Sequence, residues 1–133
     1  MLRSIFPFLV AVPLFLASSA RATTVQINSP NGPAVYVRPA DVSVSGQSSQ
    51  FFNLSEYQVE LHVTVNTFDS TIGASGLTQY FGGVSVWGPL TWHTSDFQPA
   101  EYTLMAQLWH SDDGGMTYSA LVAQGGQGSQ TVR

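Results

Sequence analysis

The chain has 133 residues, 44% of them hydrophobic, a formal charge of −4, four basic residues and no cysteine. All four cations are arginines, so there is no lysine for Schiff-base chemistry and too little positive charge to neutralise a run of nucleic-acid phosphates. Lack of cysteine removes thiol nucleophiles and disulfides alike, so the core has to hold by apolar burial alone.

Residues 1–22 begin with a basic end, continue as an apolar run interrupted by Pro7 and Pro13, and close on small residues. This is the pattern of a cleaved signal peptide, and its apolar part falls short of the roughly 20 residues that a membrane-spanning helix needs. Residues 23–133 are then expected to form one secreted domain, extracellular or, in a Gram-negative host, periplasmic. They keep all eight acidic residues but only Arg38 and Arg133, which argues against nucleic acid and, after cleavage, against a membrane surface as partners.

Short runs rich in valine and aromatics at 25–28, 34–37 and 42–45 predict strands, separated by turn residues at 29–33 and 46–49. In 57–66, Tyr57, Val59, Leu61, Val63 and Val65 alternate with polar residues, the period of a strand with one buried face. A turn is expected at 69–76, then strands at 77–81, 84–87 and 90–93, split by Gly82-Gly83 and Gly88-Pro89. Residues 102–110 repeat the alternation, with Tyr102, Leu104, Ala106 and Leu108 on one side and Thr103, Met105, Gln107 and Trp109 on the other. A last strand is expected at 117–123, followed by a Gly- and Gln-rich tail, 124–130, that either continues it with a bulge or hangs loose. No window carries a helical stripe. The fold class is therefore all-β, an antiparallel sandwich of about seven to nine strands in two facing sheets.

The stretch LWHSDDGGMTYS is the richest in chemistry-bearing side chains. A helix–loop–helix calcium site would need a glutamate at loop position 12, and counting from Asp112 or Asp113 reaches Ala123 or Gln124. For a transition metal, His62, His93 and His110 lack any spacing that aligns two donors on one element. Asp112 and Asp113 are adjacent and diverge, unlike the facing carboxylates of a glycosidase. A hairpin turn explains the stretch better, with aspartate bonding backbone and glycine supplying positive φ. No G-x-S-x-G elbow or phosphate-cradling loop occurs. We expect no catalytic residue, cofactor or metal, with His93 and Asp96 the least implausible pair for a hydrolase.

From Leu90 onward, LTWHTSDFQPAEYTLMAQLWHSDDGGMTYS resembles bacterial immunoglobulin-like modules of secreted and cell-surface proteins. Trp92, Tyr102, Leu104, Ala106, Asp112 and Gly114 or Gly115 carry the likeness, and VQINSPNGPAV is similar to those modules' first strand and turn. Ala100-Glu101 departs from the usual glycine before the tyrosine, and Phe81-Gly82-Gly83 from the usual Val-Asp-Gly hairpin. The resemblance implies an immunoglobulin-like sandwich and no catalytic residue. The expected role is a non-catalytic module of protein interaction, adhesion or extracellular structure, able to self-associate through sheet edges that lack lysine gatekeepers. The alternative is a carbohydrate-binding module presenting Trp87, Trp109, Tyr80 and Tyr118 to a polysaccharide.

Overall fold

The computed structural model describes residues 23–49 and 51–133, with backbone alone for 79–81. The expected signal peptide, 1–22, lies outside the described residues. Within them the strands are β1 (Val25–Ser29), β2 (Ala34–Tyr36), β3 (Asp41–Ser49), β4 (Tyr57–Val65), β5 (Phe68–Phe81), β6 (Val84–His93), β7 (Ala100–His110) and β8 (Ala120–Val132). Single 3-10 turns at Leu54–Glu56 and Thr94–Asp96 precede β4 and β7. No helix among the described residues is long and apolar enough to cross a membrane.

The strands join in the order β1-β3-β6-β5-β4-β7-β8-β2. All pairs are antiparallel except β2 with β8, where Ala34, Val35 and Tyr36 run parallel to Gln130, Thr131 and Val132. The expected two facing sheets are one curled eight-stranded sheet, because β5 serves both halves. Its first part, from Phe68 to Gly76, pairs with β4, and its last part, from Leu77, pairs with β6. The curl brings the two ends of the sheet together. A Cβ on Gly125 of β8 would collide with the Val25 carbonyl oxygen of β1, at 2.2 Å. Gln127 and Gln130 of β8 donate to the carbonyls of Pro30 and Gly32, at 3.1 and 2.9 Å.

Inward side chains of the alternating strands fill the curl: Val59, Leu61 and Val63 from β4, and Leu104, Ala106 and Leu108 from β7, all without exposed surface. Each such side chain contributes roughly 1.5 to 3 kcal/mol of burial. Trp92 stands at the centre of an aromatic group, edge-on to Tyr36, Phe97 and Tyr102 with centroids 5.8, 5.6 and 6.0 Å away. Edge-to-face geometry sets the positive rim of one ring against the negative face of the next.

Several expected boundaries move. Residues 69–76, expected as a turn, are strand, and the reversal falls at Asn66-Thr67, where Asn66 takes φ 53° and Val65 pairs with Phe68. Polar and small side chains suit this segment because backbone pairing to β4 holds it, with Ile72 as its packed apolar side chain. Residues 46–49 also belong to a strand, and β6 runs unbroken through Gly88-Pro89. Met116 to Ser119 stay in the loop, and the strand resumes at Ala120, so the Gly- and Gln-rich tail is the body of β8.

Candidate functional site

The loop between His110 and Ala120 closes the β7–β8 hairpin and is built on two side chains. The Ser111 hydroxyl is buried, donates to Asp113 Oδ1 at 2.6 Å and accepts the Gly115 N–H at 2.9 Å. Asp113 Oδ1 also accepts the N–H groups of Met116 and Thr117, at 3.0 and 2.9 Å, and Oδ2 accepts the Thr117 hydroxyl. These donors, Ser111 first and then Thr117, hold the carboxyl well below the usual carboxylate range. Gly114 and Gly115 supply φ of 78° and 95°, the left-handed region that a side chain disfavours. Asp113 is thus occupied in shaping the turn. Asp112 lies 3.4 Å from His110 Nδ1 but is 81% exposed, on open surface rather than in an enclosed cavity.

All three histidines contact carboxylates. His93 Nδ1 lies 2.7 Å from Asp41, and His110 Nε2 lies 3.3 Å from Glu56. His62, outward on β4 yet only 8% exposed, spans two carboxylates, with Nδ1 2.7 Å from Asp69 and Nε2 2.6 Å from Glu60. Carboxylates only accept, so both ring nitrogens must donate, which the imidazolium alone can do. Burial opposes that charge, but the hydrogen bonds and charges of Asp69 and Glu60 outweigh it and raise the pKa above 6.5. No group of three or more His, Cys, Asp or Glu among the described residues is arranged to hold a metal ion.

The four aromatics expected at a ligand site do not share one surface. Trp87 is 1% exposed and belongs to the core, so it offers no face to a ligand. Straight alternation from Trp92 would turn Trp87 outward. Instead Val44 pairs with Leu90 and Gly46 with Trp87, so β6 carries one residue more than β3 across Gly88-Pro89 and both tryptophans point inward. The Tyr80 side chain lies outside the described residues. Tyr118 reaches from the hairpin loop to donate its hydroxyl to the Ser55 carbonyl at 2.8 Å. Trp109 is half-buried on the outward side of β7, with its indole N–H buried and without a partner among the described residues.

Register places Gln58 of β4 beside Trp109, and Gln107 of β7 beside Gln124 of β8. Together with Met105 and Thr103 they form an outward face without formal charge, bordered on its β4–β5 side by Glu60, His62 and Asp69.

Sequence reasoning missed a second feature. Where β5 leaves β6 to join β4, the strands splay and leave a cleft. One hollow of about 210 Å³ is lined by Phe68, Ser70 and Thr71 of β5, Thr91 and His93 of β6, and the Asp96 and Phe97 that follow. A neighbouring hollow of about 390 Å³, lined by Val65, Ala100 and Tyr102, shares Phe68, Asp96 and Phe97 with it. His93 and Asp96 therefore border one cleft, but His93 bonds to Asp41 and no hydrogen bond joins it to Asp96 among the described residues. Only the half-exposed Phe68, next to a predicted turn, could have signalled the cleft, and the reversal of the chain falls before that residue instead of after it.

No protein-family model and no curated protein matches the chain. Among solved structures it is similar to a structure of murine CRIg, with 14% identity over 85% of this chain and 99% of that one, and a TM-score of 0.39.

Proposed function

We propose that the chain is a secreted, non-catalytic immunoglobulin-like module acting in protein interaction, adhesion or extracellular structure. The immunoglobulin-like reading draws support from the strand order and from Tyr102. This residue follows the corner between β6 and β7 and returns its hydroxyl to the Gln98 carbonyl, as the tyrosine corner of that architecture does. The observation that carries the interaction reading is the outward face of β7 and β8 around Trp109, Gln107, Gln124 and Met105, which with Gln58 of β4 has no formal charge and is bordered by Glu60 and His62. Depletion of charge around tryptophan and methionine distinguishes the centre of a protein interface from ordinary surface. The open edge of β8 adds a second route to association. Among the described residues no strand pairs with it outside Gln130, Thr131 and Val132, though Val25 of β1 lies against Gly125; no lysine guards it, and register shifts at both ends of the strand interrupt it.

The test compares the wild-type chain with a Met105→Lys, Gln107→Lys double mutant. Light scattering over rising concentration should show association of the wild type that the double mutant loses. Immobilised wild type should also retain proteins from the host's extracellular fraction that the double mutant does not. A strictly monomeric wild type that captures the same proteins as the double mutant, or none, overturns the role of this face.

A further inference from the structure

We infer that the cleft between the diverging parts of β5 and β6 binds the ring of a neutral sugar, stacked on Phe68 and hydrogen-bonded by Ser70, Thr91, His93 and Asp96. The site arises from topology. β6 stays with β3 up to His93, opposite Asp41, while β5 has already crossed to β4, so Phe68 and Ser70 face Thr91 and His93 across a gap that no ladder fills. Phe68 is 51% exposed, a large share for an aromatic ring, and is propped edge-on against buried Phe97 with centroids 6.2 Å apart.

Polar groups in the same hollow are unspent. Among the described residues, the hydroxyls of Ser70 and Thr91 and the carboxylate of Asp96 make no side-chain hydrogen bond, and His93 uses only Nδ1, on Asp41. A flat apolar face with hydroxyl, imidazole and carboxylate around it matches a pyranose, whose C–H face stacks on an aromatic ring while its hydroxyls both donate and accept. A wholly apolar ligand would desolvate four polar groups without replacing their hydrogen bonds with water. An anionic ligand would meet Asp96, with Asp41 close behind on His93 Nδ1, while Arg38 is turned onto the Phe97 carbonyl at 3.0 Å and does not line the hollow. At about 210 Å³ the hollow is smaller than a drug-sized pocket and suits one ring, with the rest of a chain running out over the surface.

The site does not involve the neutral face around Trp109, so its failure would leave the interaction reading standing, and the reverse. The test titrates the isotopically labelled, purified chain with neutral tetrasaccharides of glucose, mannose, xylose and N-acetylglucosamine, and with a tetragalacturonate as the anionic counterpart. Backbone amide shifts are followed by NMR. Expected are saturable shifts centred on Phe68, Ser70, Thr91 and His93 with at least one neutral sugar, and none there with the galacturonate. Phe68→Ala should weaken that binding about tenfold, Thr91→Val should weaken it by a smaller factor, and the distant Ser119→Ala should leave it unchanged. Should Phe68→Ala lose its dispersed spectrum, Thr91→Val carries the comparison. Absence of shifts at these residues with every neutral sugar, equal shifts with the galacturonate, or binding indifferent to both Phe68→Ala and Thr91→Val would overturn the site.

Discussion

The Tyr102 hydroxyl donates to the Gln98 carbonyl at 2.6 Å, tying the start of β7 to the loop that leaves β6. Tyr102 is buried, and its ring packs edge-on against Trp92 and Phe97. Tyr102→Phe keeps the ring and removes the bond, so it should cost about 0.5 to 1.5 kcal/mol, the net contribution of one hydrogen bond. Denaturant unfolding at constant m-value measures it. A Tyr102→Phe protein as stable as the wild type would show that the corner is not held by this bond.

Trp92 should respond more strongly. It has no exposed surface and touches three aromatic rings, so Trp92→Ala leaves a cavity that neighbours on β2, β7 and the β6–β7 connection cannot all close. The expected loss is about 3 to 5 kcal/mol. Equilibrium unfolding decides it, and a loss below about 1 kcal/mol, the range of a surface change, would place Trp92 outside the core.

Both results bear on what the residue order could convey. β4 and β7 were legible because inward and outward residues alternate without interruption along them, and both pair in register from Tyr57 with His110 to Thr64 with Thr103. Trp92 was legible as a core residue for its setting between Pro89 and a polar loop. Trp87 was not, because one additional residue in β6 reverses the phase and nothing local announces it. The segment from Asp69 to Gly76 reads as loop by composition, and only its partner β4 makes it a strand. The cleft depends on that same crossing of β5, a long-range event, and so stayed invisible. Trp109 shows the middle case: alternation placed it outward, but neighbouring strands cover half of it.

The His62 bridge makes stability depend on pH. Folding raises its pKa above the ordinary 6.5, so the fold binds the proton more tightly than the unfolded chain does. The stabilisation is fully present below 6.5 and is lost as pH rises through the raised value. Facing the ring are Glu60 on its own strand, Asp69 and Thr71 on β5, and Met105 on β7. Thermal unfolding across the neutral range should therefore give a falling Tm toward alkaline pH that His62→Asn flattens. Imidazole NMR should place the His62 midpoint above 6.5 and show it shifting down in Asp69→Asn. A midpoint at or below 6.5 would refute the bridge as the charged form.

The paired aspartates of the hairpin loop should separate cleanly in behaviour. Asp113 accepts from Ser111, Met116 and Thr117, whereas Asp112 has one long contact with His110 and is largely solvated. Because folding lowers the Asp113 pKa, its contribution is present above the ordinary aspartate value and is lost as pH falls through the depressed one. Asp113→Ala should then speed amide exchange at Met116 and Thr117 and open the loop to proteolysis, since those N–H groups lose their acceptor. Asp112→Ala should change neither. β7 should keep its protection in both mutants, because its amides are paired with β4 and β8 rather than with the loop. Equal exchange in the two mutants would mean that the glycines alone shape the turn and that the carboxylate merely rests on it.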